Sequence, residues 1–224
     1  KGTASGVMLM GFGASSLVVG SAASALMYSA VGWRMTYILT GALLLATALV
    51  GRIFLEPPVE NTSCETESAG PEGLTPAQMI KTPSFWAFFI FAAIGCAFGS
   101  GIIAHSRYIA LEAGAAASLA TLTVGLISVM NGLGRILFGF LYDKKGFFIA
   151  LLSDTFVYLA AGVLAVFSLK AGLIWPTLIA MMFCGLSYGG VPSMTSAMVG
   201  EFFGRTWYGR NFSIMNLNIL PAAF

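Results

Sequence analysis

Four long stretches of the chain contain no Asp, Glu, Lys or Arg: Gly2–Trp33, Thr82–Ser106, Ala113–Gly134 and Ala171–Gly200. Extending each to its polar flanks gives seven apolar segments. Six are complete, at about residues 4–30, 35–54, 85–109, 115–141, 147–168 and 172–199, and an incomplete one opens at about 211. Each complete segment has about 20 or more residues, enough at about 1.5 Å per residue to cross roughly 30 Å of hydrocarbon. Membrane strands would alternate over about ten residues, and these runs are continuous. Helices satisfy every backbone group internally, as lipid requires. The pattern predicts an all-α, polytopic transmembrane helical bundle with six full spans and the start of a seventh. Trp33, Trp86, Trp175 and Trp207 all fall at segment edges, where an interfacial aromatic belt belongs.

One polar stretch, about 55–84, divides the pattern. Glu56-Pro57-Pro58 ends the second helix, since proline cannot continue it and disfavours helix in the residue before it. Residues 61–73 are acidic and rich in Ser, Thr and Gly, the composition of a mobile linker. Thr75-Pro76 then supplies a cap and a first-turn proline for a short interfacial helix through Ile80. The expected organisation is a two-helix part (1–54), a linker (55–84) and a second bundle (85–224). Lys1, Arg52, Lys81, Lys144, Lys145, Arg205 and Arg210 fall on one side of the membrane, and Arg34, Arg107 and Lys170 on the other. The positive-inside rule places the richer side, with loop 55–84, in the cytoplasm.

Composition removes whole classes of function. The chain is 58% apolar, 13% aromatic and 9% charged, with a mean hydropathy of +0.87. A soluble domain carries about 25% charged residues, so a soluble enzyme is excluded. The net charge of +2 comes without any basic patch interleaved with aromatics, and nucleic acid is not an expected partner. Cys64, Cys96 and Cys184 lack metal-ligand spacing and read as structural thiols; no metal and no cofactor are expected. Thr3-Ala4-Ser5-Gly6 matches a rhomboid-like serine-protease motif only in part, and the chain has 1 histidine. No catalytic residue is assigned. Starting at Lys1 without a signal peptide and stopping inside an apolar stretch, the chain reads as an internal piece of a longer membrane protein.

The stretch Gly139-x-Leu141-x-Asp143-Lys144-Lys145-Gly146 resembles the short cytoplasmic loop motif, G-x-L-x-D-R-x-G-R-K, of the major facilitator superfamily. Lys144 stands for the usual arginine and Phe147-Phe148 for the trailing basic pair, the form of the second-half copy. Lys1-Gly2-x-Ala4-x-Gly6 resembles the opening of the family's fifth helix, and Tyr208-Gly209-Arg210-Asn211-x-Ser213 its half-repeat partner at the eleventh. The resemblance implies a partial fold of that superfamily, helices five to eleven of twelve. Residues 1–54 would be the last two helices of the N-terminal six-helix bundle and 85–224 the truncated C-terminal bundle. Lys81-Thr82-Pro83-Ser84-Phe85-Trp86 and Asn131-Gly132-Leu133-Gly134-Arg135 look most like the oxalate/formate antiporter and monocarboxylate transporter branch.

The resemblance implies secondary active transport of a small organic anion, a mono- or dicarboxylate, by antiport or with a proton. Arg135 lies eight residues, about 12 Å of helix, from Asp143, deep in hydrocarbon where a charge needs a cavity or a partner. Its planar guanidinium suits a carboxylate, with Asn131 and Asn216 as companion substrate-binding residues. The other reading of Arg135 is an ion pair with Asp154, eight residues beyond Gly146 and so at similar depth. Where oxalate carriers place a lysine in the eleventh helix, this chain offers Asn216 and Asn218. The loop motif (Gly139, Asp143, Lys144, Gly146) is expected to gate, with Asp143 against the first turn of the fifth helix. Gly189, Gly190 and Pro192 mark a packing seam or a hinge in the tenth. His105 is a candidate proton-coupling group or an interfacial histidine. The whole protein is expected as a monomer in the plasma (inner) membrane, with the lipid bilayer as surroundings. The alternative to a carrier is a non-transporting fragment or a membrane receptor or sensor of the same fold.

Overall fold

In the computed structural model the described residues are 2–4, 6–8, 19, 21–27, 32–54 and 73–220. Most of the segment expected at 4–30, the first part (55–72) of the linker expected at 55–84, and Cys64 lie outside them. The chain forms two compact units, Ser15–Gly70 on one hand and Lys1–Ala14 with Pro71–Phe224 on the other. All regular structure among the described residues is helical.

The smaller unit contains α1 (Ser21–Met27) and α2 (Gly32–Phe54). Gly32, at φ +73°, starts α2 three residues ahead of the expected boundary. Thr36, Thr40 and Thr47 turn their hydroxyls back to the carbonyls of Gly32, Thr36 and Leu44 at 2.8–2.9 Å. This lets three polar side chains sit in an apolar helix without seeking water.

The larger unit runs α3 (Pro76–Ile80), α4 (Pro83–Glu112), α5 (Ala117–Lys145), α6 (Phe147–Lys170), α7 (Ile174–Phe202) and α8 (Tyr208–Met215), closing in a 3-10 turn at Asn216–Ile219. The helices α2, α4, α5, α6 and α7 are long and apolar enough to cross a membrane. The described fold is therefore all-α, with helices of membrane-crossing length and composition. The short helix is present where its cap residues put it: the Thr75 backbone N–H donates to Gln78 Oε1 at 2.9 Å, and Met79 is fully buried. Thr82 accepts from the Phe85 N–H and caps α4. The Trp86 indole donates to the Ile80 carbonyl at 2.8 Å, the polar end of an interfacial tryptophan finding its partner.

α7 is the central element. Seventeen of its residues are buried, from Thr177 to Val199, and its widest interface is with α5. That interface is made by missing side chains. A Cβ on Gly134 would overlap the Leu186 carbonyl, one on Gly189 the Asn131 carbonyl, and one on Gly185 would meet the Ile127 carbonyl at 2.8 Å. Backbone lies on backbone, the close approach that small residues allow between membrane helices. At Gly146, φ +83° turns the chain from α5 into α6 in one residue.

Candidate functional site

Two groups of polar side chains contain the residues of the loop motif and the buried arginine. The first is at the end of α5. The Asp143 carboxylate accepts from the backbone N–H groups of Gly2 at 2.7 Å and Thr3 at 2.8 Å, and from the Thr3 hydroxyl at 2.8 Å. A first helical turn has N–H groups without intrahelical partners and a partial positive charge, and a carboxylate answers both. The approach depends on glycine. A Cβ on Gly2 would lie 2.7 Å from the Gly139 carbonyl oxygen, and one on Gly139 would overlap the Gly2 carbonyl. The contact expected between Asp143 and the first turn of this segment is therefore present. One residue earlier, the Tyr142 hydroxyl donates to Glu201 Oε2 on α7 at 2.9 Å. Tyr142, Asp143, Gly146, Ala197 and Glu201 surround a cavity of about 450 Å³. Lys144 lies over the Phe140 ring at 4.7 Å, a cation–π contact that holds it along its own helix.

The second group is two turns deeper. Arg135 is 4% exposed and its Nε donates to Asn131 Oδ1 at 3.2 Å. The two residues are four apart and so stacked on one helix face, and Asn131 is itself buried. Tyr188, on α7, is close enough to interact electrostatically with the guanidinium. Gly6 lies against the Arg135 main chain, with no room for a Cβ.

The alternative reading of Arg135, an ion pair with Asp154, is not seen among the described residues. Asp154 is fully buried on α6, yet neither carboxyl oxygen has a hydrogen-bond partner among the described residues. Equal depth along two helices does not set azimuth. Each residue advances about 100° around its helix, so two side chains at one level can face different neighbours.

Asn216 is half-buried at the start of the 3-10 turn, while Asn218 is the buried one and accepts from Cys96 Sγ at 3.7 Å. Gly189, Gly190 and Pro192 lie inside one uninterrupted helix, with Gly190 against the Phe138 ring. His105 is exposed on α4. Pairings that sequence reasoning did not foresee are Tyr188 beside Arg135, Glu201 with Tyr142, and Asn211, whose Nδ2 donates to the Leu74 carbonyl at 2.9 Å. None of these has a local signal, because each partner is remote in the chain.

The family model for the Major Facilitator Superfamily matches residues 1–220. The chain belongs to the major facilitator superfamily. Among curated relatives, it is similar to the uncharacterized MFS-type transporter YhjX of Escherichia coli (strain K12), at 23% identity over 197 residues. That match takes in 84% of this chain and 46% of the relative, so the chain spans about half the length of the curated relative it matches. For a superfamily member, the Asp143 contact joins the loop motif to a helix start more than a hundred residues away, and Arg135 is a cation inside the bundle.

Proposed function

We propose that the whole protein is a secondary active carrier of a small organic anion, a mono- or dicarboxylate, working by alternating access as an antiporter or with a proton. Arg135 carries this reading. A guanidinium 4% exposed, set among apolar helices, is held at a steep desolvation cost that a bidentate carboxylate would offset. Asn131 orients it through Nε, and a planar guanidinium is the geometry that a carboxylate binds through two parallel hydrogen bonds. Asn216 would complete the cargo site from the eleventh helix of the family fold. The likeness of Lys81–Trp86 and Asn131–Arg135 to the oxalate/formate and monocarboxylate branch points to the same class.

The Asp143 contact would act as the lock. It ties the end of α5 to the start of the family's fifth helix, on the side read as cytoplasmic, and its release would accompany opening on that side. Gly189, Gly190 and Pro192 would let α7 bend as it does so. On this reading the carrier would work in the plasma (inner) membrane as a monomer, with residues 55–84 cytoplasmic.

The test is counter-flow of labelled oxalate, formate and lactate in lipid vesicles holding the full-length protein. Exchange of at least one carboxylate is expected, reduced in Arg135→Ala and in Arg135→Lys, because a point-charge ammonium cannot reproduce the planar fork. Exchange that survives both substitutions unchanged would remove Arg135 from the cargo site.

A further inference from the structure

Asp154 is left over from the site just described. It is 0% exposed, sits in the first third of α6, and both of its carboxyl oxygens lack a partner among the described residues. The donors around it are committed elsewhere. Thr155 Oγ1 donates to the Leu151 carbonyl at 2.8 Å, and the Tyr158 hydroxyl to the Gly95 carbonyl at 2.9 Å. Ser187 Oγ, on α7, lies near the carboxyl group but donates to the main-chain carbonyl of Asp154, at 3.5 Å, and neither carboxyl oxygen receives a hydrogen bond from it.

The charged and titratable neighbours are equally accounted for. Tyr158, on its own helix, lies within electrostatic reach of Asp154 and in turn of Cys184 and Tyr188 on α7 and Cys96 on α4, and none of these is a cation. The cation contributed by α5, Arg135, is bonded to Asn131 and faces Tyr188. An ionised carboxylate with neither counter-ion nor donor is among the most expensive groups to bury, and such a group takes up a proton instead.

We propose that Asp154 is a proton-carrying site of the carrier, separate from the Arg135 cargo site: its carboxyl group holds a proton in the arrangement seen and exchanges it with water in another. The proposal rests on the alternating-access reading for the second arrangement. Its chemistry is one proton transfer. The O–H bond of the acid breaks, the proton passes to water on one side, and the carboxylate is reprotonated from water on the other. A carboxylate can be tolerated only where water or Arg135 reaches it, so loss of the proton is tied to rearrangement of the helices around α6. This couples a proton gradient to conformation without requiring the proton to meet the cargo.

The first experiment needs no cargo. Infrared difference spectra of the full-length protein in lipid vesicles, through a pH step in H2O and in D2O, should show the carbonyl band of a protonated carboxylic acid. That band should shift in D2O and be missing in Asp154→Asn. A band unchanged in Asp154→Asn overturns the proposal. If that variant does not fold, Asp154→Glu should move the band, and an unmoved band is equally fatal. Loss of the band on adding Na+ at constant pH would make Asp154 a metal-cation site and overturn the proton assignment. The second experiment imposes an inward pH gradient of one unit and follows whichever of oxalate, formate and lactate the wild type exchanges. Accumulation of up to about tenfold is expected for one proton per anion, falling to about equal concentrations on the two sides in Asp154→Asn. Tenfold accumulation by Asp154→Asn overturns the proposal. Absence of carboxylate exchange in the wild type would instead overturn the carrier reading, and the infrared band would still decide Asp154.

Discussion

Asp143 and Thr3 are 140 residues apart in the chain, yet a single atom, Asp143 Oδ2, accepts both the Thr3 N–H and the Thr3 hydroxyl at 2.8 Å. Gly2 completes the cradle through Oδ1. Asp143→Asn keeps an acceptor but loses the charge that the helix start favours. The expected effect is a bias of about 0.3–1 kcal/mol away from the locked state, several-fold in population. Labelling of a cysteine placed on the side proposed as cytoplasmic should rise accordingly. Because Asp143 is exposed, raising ionic strength should narrow the difference between wild type and variant. Equal labelling in both would remove the lock.

Asn131 and Arg135 provide a way to fill the proposed cargo site from inside. Asn131→Asp places a carboxylate four residues from the guanidinium on the same face, where it can pair with Arg135 internally. Carboxylate affinity should fall by about 10-fold or more, the worth of a charge-assisted hydrogen bond of about 1.5–3 kcal/mol, with thermal stability retained. Asn131→Leu should lower stability by about 1–3 kcal/mol instead, since Nε then lacks that acceptor. Competition binding and melting curves on the same two variants separate these outcomes.

The α5–α7 seam predicts opposite behaviour for different glycines. Gly189→Ala and Gly134→Ala push a methyl group into a facing main-chain carbonyl, and should destabilise by about 1–3 kcal/mol through forced separation of the helices. Gly41→Ala and Gly51→Ala in α2 meet nothing within 4 Å, and should be neutral or gain up to about 1 kcal/mol of helix propensity. Melting temperatures in detergent of the four variants provide the comparison; equal losses in all four would mean that the seam is not the cause.

Tyr142→Phe removes the hydroxyl that Glu201 accepts at 2.9 Å. A loss of about 1.5–3 kcal/mol is expected for a hydrogen bond to a charged group, towards the lower end because Glu201 is exposed. In a double-mutant cycle with Glu201→Gln the two losses should not add. Simple additivity would show that the pair contributes nothing jointly.

Sequence alone determined the spans, because lipid tolerates neither unpaired backbone nor frequent charge, and that constraint is written residue by residue in the charge-free runs. It also determined the capped helix at Pro76–Ile80, whose signals lie within a few residues of one another, and through the loop motif it located the partner of Asp143. The depth of Arg135 was legible too, since depth follows from counting residues along a helix. Tertiary structure alone decided what each polar side chain faces. It set Asp154 apart from Arg135, gave Glu201 to Tyr142 and Leu74 to Asn211, and showed which glycines are pressed against carbonyls and which face open space. The physical reason is that rise along an axis is a local property of the chain, whereas rotation about that axis is settled by how neighbouring helices, brought together from distant positions in the chain, pack against one another.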